Sequence, residues 1–138
     1  MDGLDPVKIG MARKDAEKAL GKKLKVEGDT NCAMASKPDK KAFYMFVNGR
    51  IVRIDVKAKG AGIAWDQGLG IGSDEAALKK AFGSRAQFFP NRYVEGGHDV
   101  EVSFPAKDRL LLFETDHGKV TSFRVGQPKY VQWVEGCS

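Results

Sequence analysis

The chain has 138 residues, 42 % hydrophobic and 30 % charged, a balance that fits one soluble globular domain and excludes a disordered or fibrous chain. No apolar run approaches the ~20 residues needed to cross a bilayer as a helix. The net charge of +5 is uneven: residues 1–60 hold 14 Lys/Arg against 8 Asp/Glu, and residues 61–138 hold 9 against 10. Lysines dispersed as in "KKLK" and "PDKK" solvate a surface, so the excess is weak support for nucleic acid, and nucleic-acid binding is not expected.

In chain order, Ile9-Gly10-Met11 leads into a short amphipathic stretch ending at Leu20-Gly21, with Ala16, Ala19 and Leu20 at helical spacing. A strand near Cys32–Ser36 is expected to follow. "AFYMFVNGRIVRIDV", residues 42–56, is β-rich on both sides of Asn48-Gly49, a strong hairpin signal. Residues 57–68 read as a linker. Ile71-Gly72-Ser73 then opens a second helical stretch ending at Phe82-Gly83, with Ser73 as the expected N-cap and both closing glycines expected in a left-handed conformation. A strand from His98 to Phe104 and a second hairpin over 109–125, turning through Asp116-His117-Gly118, complete the pattern. Residues 130–137 are expected to form a terminal strand. The spacing predicts a single domain over 1–138, made of two repeats at about 7–56 and 69–126. Its expected class is α+β: a tandem repeat of short helix plus antiparallel strands, with helices packed on one side of the sheet.

The sequence "IGM", a short helix ending in "LG", then hairpin strands, resembles the repeat of the β-lactamase inhibitory protein and of the SmpA/OmlA small lipoproteins. The second half, "GLGIGSDEAALKKAFG … FETDHGKVTSFRVG … VEGC", is similar to bacterial envelope proteins, some described as lectin-like. The resemblance implies a periplasmic or secreted protein from which a signal sequence has been removed. By themselves Cys32 and Cys137 read equally as two buried thiols or as one bond; the resemblance implies the disulfide.

Catalytic chemistry finds few candidates. His117 sits in a turn, "ETDHGK" lacks the full ligand set of a calcium loop, and "GLGIGS" lacks the lysine of a phosphate-binding loop. No catalytic residue, metal or cofactor is expected. The segment "FFPNRYVEGGH", residues 88–98, is present in one repeat only, which makes it the place where function can be added without disturbing a shared core. Phe88, Phe89, Arg92, Tyr93 and His98 are the expected binding residues, with Trp65 joining them from the linker. The expected function is a non-enzymatic envelope binding protein, acting on a protein partner as an inhibitor or immunity factor; the alternative is a glycan-binding module.

Overall fold

The structure, a computed structural model, describes residues 3–4, 6–37, 39, 41–57, 63, 65, 68–105, 108–133 and 136–137. Its elements are β1 (Gly3–Leu4), β2 (Val7–Lys8), α1 (Arg13–Leu20), β3 (Lys25–Gly28), β4 (Ala33–Ser36), β5 (Ala42–Val47), β6 (Arg50–Val56), α2 (Glu75–Phe82), a 3₁₀ turn (Gly83–Arg85), β7 (Ala86–Pro90), β8 (His98–Ser103), β9 (Leu110–Asp116), β10 (Lys119–Gly126) and α3 (Pro128–Val131). Eight strands form one antiparallel sheet in the order β3-β4-β5-β6-β10-β9-β8-β7.

Both central hairpins turn on two residues of positive φ, Asn48-Gly49 and His117-Gly118. Such turns match the right-handed twist of the strands they join, and Asn, His and Gly tolerate the backbone they require. A glycine before each helix ties it to a hairpin: Gly10 N–H donates to Ile51 O at 2.7 Å and Gly72 N–H to Val120 O at 2.8 Å.

Alternation then divides the sheet. One face carries Tyr44, Ile54, Phe113, Phe123 and Val125, which join Ala16 of α1, Leu78 and Phe82 of α2, and Trp65 and Leu69 in one buried cluster. The facing rings of Phe113 and Phe123 lie 5.6 Å apart. A side chain of this size, fully buried, contributes roughly 1.5–3 kcal/mol.

This architecture corrects the expected tandem repeat with helices packed on one side. β6 pairs directly with β10, Phe123 opposite Val56, which joins β3 through β10 into a single eight-stranded sheet, while β1 and β2 pair only with each other. Helix is the minor component: α1 and α2 have eight residues each, α3 has four, and Ala16, Leu78, Phe82 and Val131 are their buried residues. The edge strands β3 and β7 carry no clear alternation of buried and exposed positions, so the pattern gives no strand signal there.

Local expectations also need correction. Tyr130 and Val131 lie in α3, started by Pro128 at the first helical position, and not in a terminal strand. Residues 134 and 135 of that segment, and 58–62, 64, 66 and 67 of the linker, lie outside the described residues. Ser73 does not cap α2; its Oγ accepts the Gly70 N–H at 3.0 Å, and the N-cap is Asp74. Gly21 is left-handed (φ 69°, ψ 19°), whereas Gly83 has positive φ (56°) but an extended ψ of −132°, because the chain passes straight into the 3₁₀ turn.

Candidate functional site

The second face of the sheet is built differently. Register places Phe43, Asp55, Arg124, Leu112, Glu101 and Gln87 in one row across β5, β6, β10, β9, β8 and β7. A neighbouring row runs Ser122, Glu114, Asp99, Phe89. These are the positions that alternation turns away from the core, yet Arg53, Asp55 and Arg124 are buried. Charges in such a place must be paired and hydrogen-bonded to offset desolvation.

They are. Arg53 grips Asp55, two residues along the same strand, with Nε donating to Oδ1 and Nη2 to Oδ2, each at 2.6 Å. Its Nη1 donates to the Tyr130 and Trp133 carbonyls, both at 2.9 Å. Arg124 Nε donates to the Val131 carbonyl at 2.6 Å and its Nη1 to Glu114 Oε2 at 2.8 Å. Two guanidinium groups therefore hold the carbonyl end of α3, where cations are favoured. Val131 in turn packs on Leu110 and Leu112.

Glu114 continues the network. Oε2 also accepts from Ser122 Oγ at 3.2 Å, and Oε1 accepts from Asn91 Nδ2 at 3.2 Å. Asn91 reaches Asp99 Oδ1 at 2.7 Å with the same amide. Burial, reinforced by the nearby Glu114 charge, pushes the Asp99 carboxyl above the usual range against the opposing pull of Asn91, Arg124 and Arg92. The side-chain oxygen of Asn91, Oδ1, accepts the Tyr93 and Val94 N–H groups at 2.8 and 2.9 Å, which fixes the turn that presents Tyr93. Gly97 closes this loop because a Cβ there would lie 2.5 Å from the Thr115 carbonyl oxygen.

Two clefts open over the network. One, of about 330 Å³, lies among Phe89, Asn91, Arg92, Tyr93, Asp99 and Glu101, with Leu112 and Gln132 on its walls. The other, of about 440 Å³, lies over Arg53 and Asp55, walled by Met34, Phe43 and the chain at Gly136-Cys137. Glu114 and Arg124 line both. Arg124 Nη2 has no hydrogen-bond partner among the described residues.

The expected binding residues divide between the two faces. Phe89, Arg92 and Tyr93 meet at the smaller cleft, where Phe89 is 42 % and Tyr93 70 % exposed. Phe88 points to the apolar side, its ring 6.0 Å from that of His98 and 5.0 Å from Lys79 Nζ. His98 Nδ1 lies 2.8 Å from Glu75 Oε2, which also accepts from Thr115 Oγ1 at 2.6 Å. Burial opposes ionisation of Glu75, but these two bonds and the neighbouring charges outweigh it and hold its carboxyl below the usual range. Trp65 is 3 % exposed, packed against Phe104, and belongs to the core. The sequence reading missed Asp99, Glu114 and Arg124. Their signal was present as charged residues at alternate positions of strands whose other face is apolar, but placing them side by side requires the register of β8, β9 and β10.

Cys32 and Cys137 form a disulfide, 105 positions apart in sequence. Gly136 beside it lies against Met34, where a Cβ would come within 3.1 Å of the sulfur. The bond thus ties the chain end to the β4 side of the second face.

No protein-family profile and no curated protein matches this sequence. Solved structures that share the fold include an extracellular protein containing a SCP domain from Bacillus anthracis str. Ames, with TM-score 0.61 and 11 % identity over 88 % of this chain and 44 % of that one. A cysteine-rich secretory protein from Staphylococcus aureus subsp. aureus Mu50 matches with TM-score 0.54 and 15 % identity, over 88 % of this chain and 45 % of that one. The chain spans less than half the length of either, and at these identities the likeness is one of fold. It overturns the resemblance to the β-lactamase inhibitory protein and SmpA/OmlA repeats. That resemblance rested on helix ends, turns and core positions, which many chains that run from a short helix into a hairpin share.

Proposed function

We propose that the chain is a secreted, non-catalytic binding module, and that the cleft between Phe89, Tyr93 and Arg124 takes a saccharide. The disulfide and the extracellular or secretory character of the proteins that share the fold support secretion. The observation that carries the ligand reading is the composition of the cleft: two exposed rings stand over a floor that offers both donors and acceptors. Arg124 Nη2 and the Arg92 guanidinium can donate to hydroxyl or ring oxygens, Asp99 and Glu101 can accept from hydroxyl groups, and the rings supply apolar faces for the C–H side of a sugar. Mixed acid and base at the floor favour a neutral polyhydroxylated ligand over an ion.

A binding role without chemistry is supported by how fully the network is used. Both Glu114 oxygens are engaged by Asn91, Ser122 and Arg124, and His98 lies on the opposite face. Among the described residues, no nucleophile with an adjacent base faces the cleft. A second reading, a protein partner, rests on the same exposed Tyr93 and Arg92, residue types that anchor interfaces. The proteins that share the fold add no support for an inhibitor or immunity role. An array of neutral and acidic glycans tests the first reading: binding to neutral glycans, lost by Tyr93→Ala with an unchanged melting temperature, supports it. No glycan bound, or binding indifferent to Tyr93→Ala, contradicts it.

A further inference from the structure

The sheet ends in two edges of unlike character. At β3, Lys25 and Glu27 stand 3.8 Å apart and compensate each other. At β7 the strand itself, Ala86-Gln87-Phe88-Phe89-Pro90, carries no charge at all, although natural edge strands are commonly guarded by lysine or an inward charge. The cations lie around it. Lys79 Nζ stands 5.0 Å from the Phe88 ring, and the Arg85 guanidinium stands 5.6 Å from the Phe82 ring and 5.9 Å from Phe104. Arg92 follows on the polar face. None of these three has a carboxylate within salt-bridge distance among the described residues.

Which backbone groups face outward follows from the register. Asn91 N–H donates to Gly97 O, and with Phe89 opposite Asp99 and Gln87 opposite Glu101, those residues direct their amides and carbonyls to β8. Phe88 N–H and the carbonyls of Ala86, Phe88 and Pro90 therefore point away from the sheet. The Ala86 N–H is already used by Gly83 O, and Pro90 has none. The free pattern is one donor and three acceptors, a short ladder for an extended chain.

We propose that β7 is a docking edge for an extended acidic segment of a partner protein, added to the sheet as a ninth strand. Main-chain bonds would give affinity, and Glu or Asp side chains alternating to either side would meet Lys79 and Arg85 on one face and Arg92 on the other. A second copy of this chain is disfavoured as occupant, because pairing β7 with β7 sets these cations against their own copies. The edge shares Phe89, Pro90 and Arg92 with the wall of the saccharide cleft, but Phe88, Lys79 and Arg85, which the test reads and varies, lie outside it, so either assignment can fail alone.

The test uses two blocked peptides, Thr-Glu-Glu-Val-Glu-Glu, whose acids fall on both faces of an added strand, and its lysine counterpart, titrated into the ¹⁵N-labelled protein. The acidic peptide is expected to shift the amides of 86–89 and to slow Phe88 amide exchange by at least about tenfold at saturation, while the lysine peptide does neither. In the K79E/R85E variant the preference is expected to reverse. In K79Q/R85Q, which guards against a misfolded charge reversal, the acidic peptide should bind more weakly. Unchanged Phe88 exchange at millimolar acidic peptide would overturn the proposal. So would equal binding of both peptides, or concentration-dependent protection of Phe88 in the protein alone.

Discussion

The two faces of this sheet are cut from the same strands, and they solve burial in opposite ways. On the core face, residues at alternate positions of β5, β6, β9 and β10 are apolar, and any of them could be exchanged for another of similar volume at modest cost. On the other face, the intervening positions bury Arg53, Asp55 and Arg124 under α3, and each of these charges is held by specific partners, with Arg124 Nη2 left over among the described residues. The core face holds the fold by area. The polar face holds one short helix and one chain end in place, and the two clefts form beside them.

The largest effect expected on this contrast comes from the tether of the polar face. Reducing Cys32–Cys137 opens a loop of 105 residues, and in the chain-entropy model this removes about 4–5 kcal/mol of stability, before any native strain is subtracted. Denaturant melts with and without reductant measure it; equal midpoints would show that the bond does not constrain the unfolded chain.

Slightly smaller is the loss expected from Arg53→Ala. This leaves Asp55 buried without its bidentate partner and removes the donor to the carbonyls of Tyr130 in α3 and of Trp133 beyond it, a cost of about 3–5 kcal/mol. Replacing both members, Arg53→Met with Asp55→Leu, should recover most of that loss. A double variant no better than the single one would mean that the pair stabilises the fold in its own right and not only one member against the other.

Glycines ending the helices separate by their second angle. Gly21→Val forces a β-branched residue into the left-handed region and should cost about 1–2 kcal/mol. Gly83→Val should cost at least as much, because positive φ with extended ψ is open essentially to glycine alone. A Gly83 variant as stable as the parent would show that the entry into β7 is not fixed as described.

The smallest effect has a defined pH dependence. Folding raises the Asp99 carboxyl above its ordinary value, mainly by burial, so the ionised group opposes folding at neutral pH and the opposition fades as the carboxyl protonates in acid. Asp99→Asn keeps an acceptor for Asn91 and should therefore melt slightly above the parent at pH 7, with the difference closing toward the carboxylate range. A gap that widens in acid would reverse the sign.

Much of the core face was legible in the sequence, since Asn48-Gly49 marks a hairpin and Ile54 with Val56 its buried side by local physics, while Ile51, three residues before Ile54, joins that side only through the bulge in the β5–β6 pairing. The expected architecture failed where pairing is long-range: nothing local says that Val56 meets Phe123, or that the weakly patterned 86–90 becomes an edge strand. The site was half visible for the same reason. A loop rich in Phe, Arg and Tyr drew notice as a segment, but a strand sends Phe88 and Phe89 to opposite faces, and the partners of Phe89 and Tyr93 come from β8, β9 and β10. Trp65 shows the opposite error, a ring in a linker that serves packing alone.

The most direct test of the cleft is amide shift mapping of the ¹⁵N-labelled protein with soluble neutral oligosaccharides: chitotetraose, cellotetraose and maltotetraose. Binding of any of these should move the resonances of Phe89, Arg92, Tyr93 and Asp99 together with the Arg124 side-chain Nε–H, and leave the core-face strand Leu111, Phe113 and Thr115 comparatively still. Shifts confined to the basic first half of the chain, or no shifts with any of the three at millimolar concentration, would contradict the assignment of this face as the binding surface.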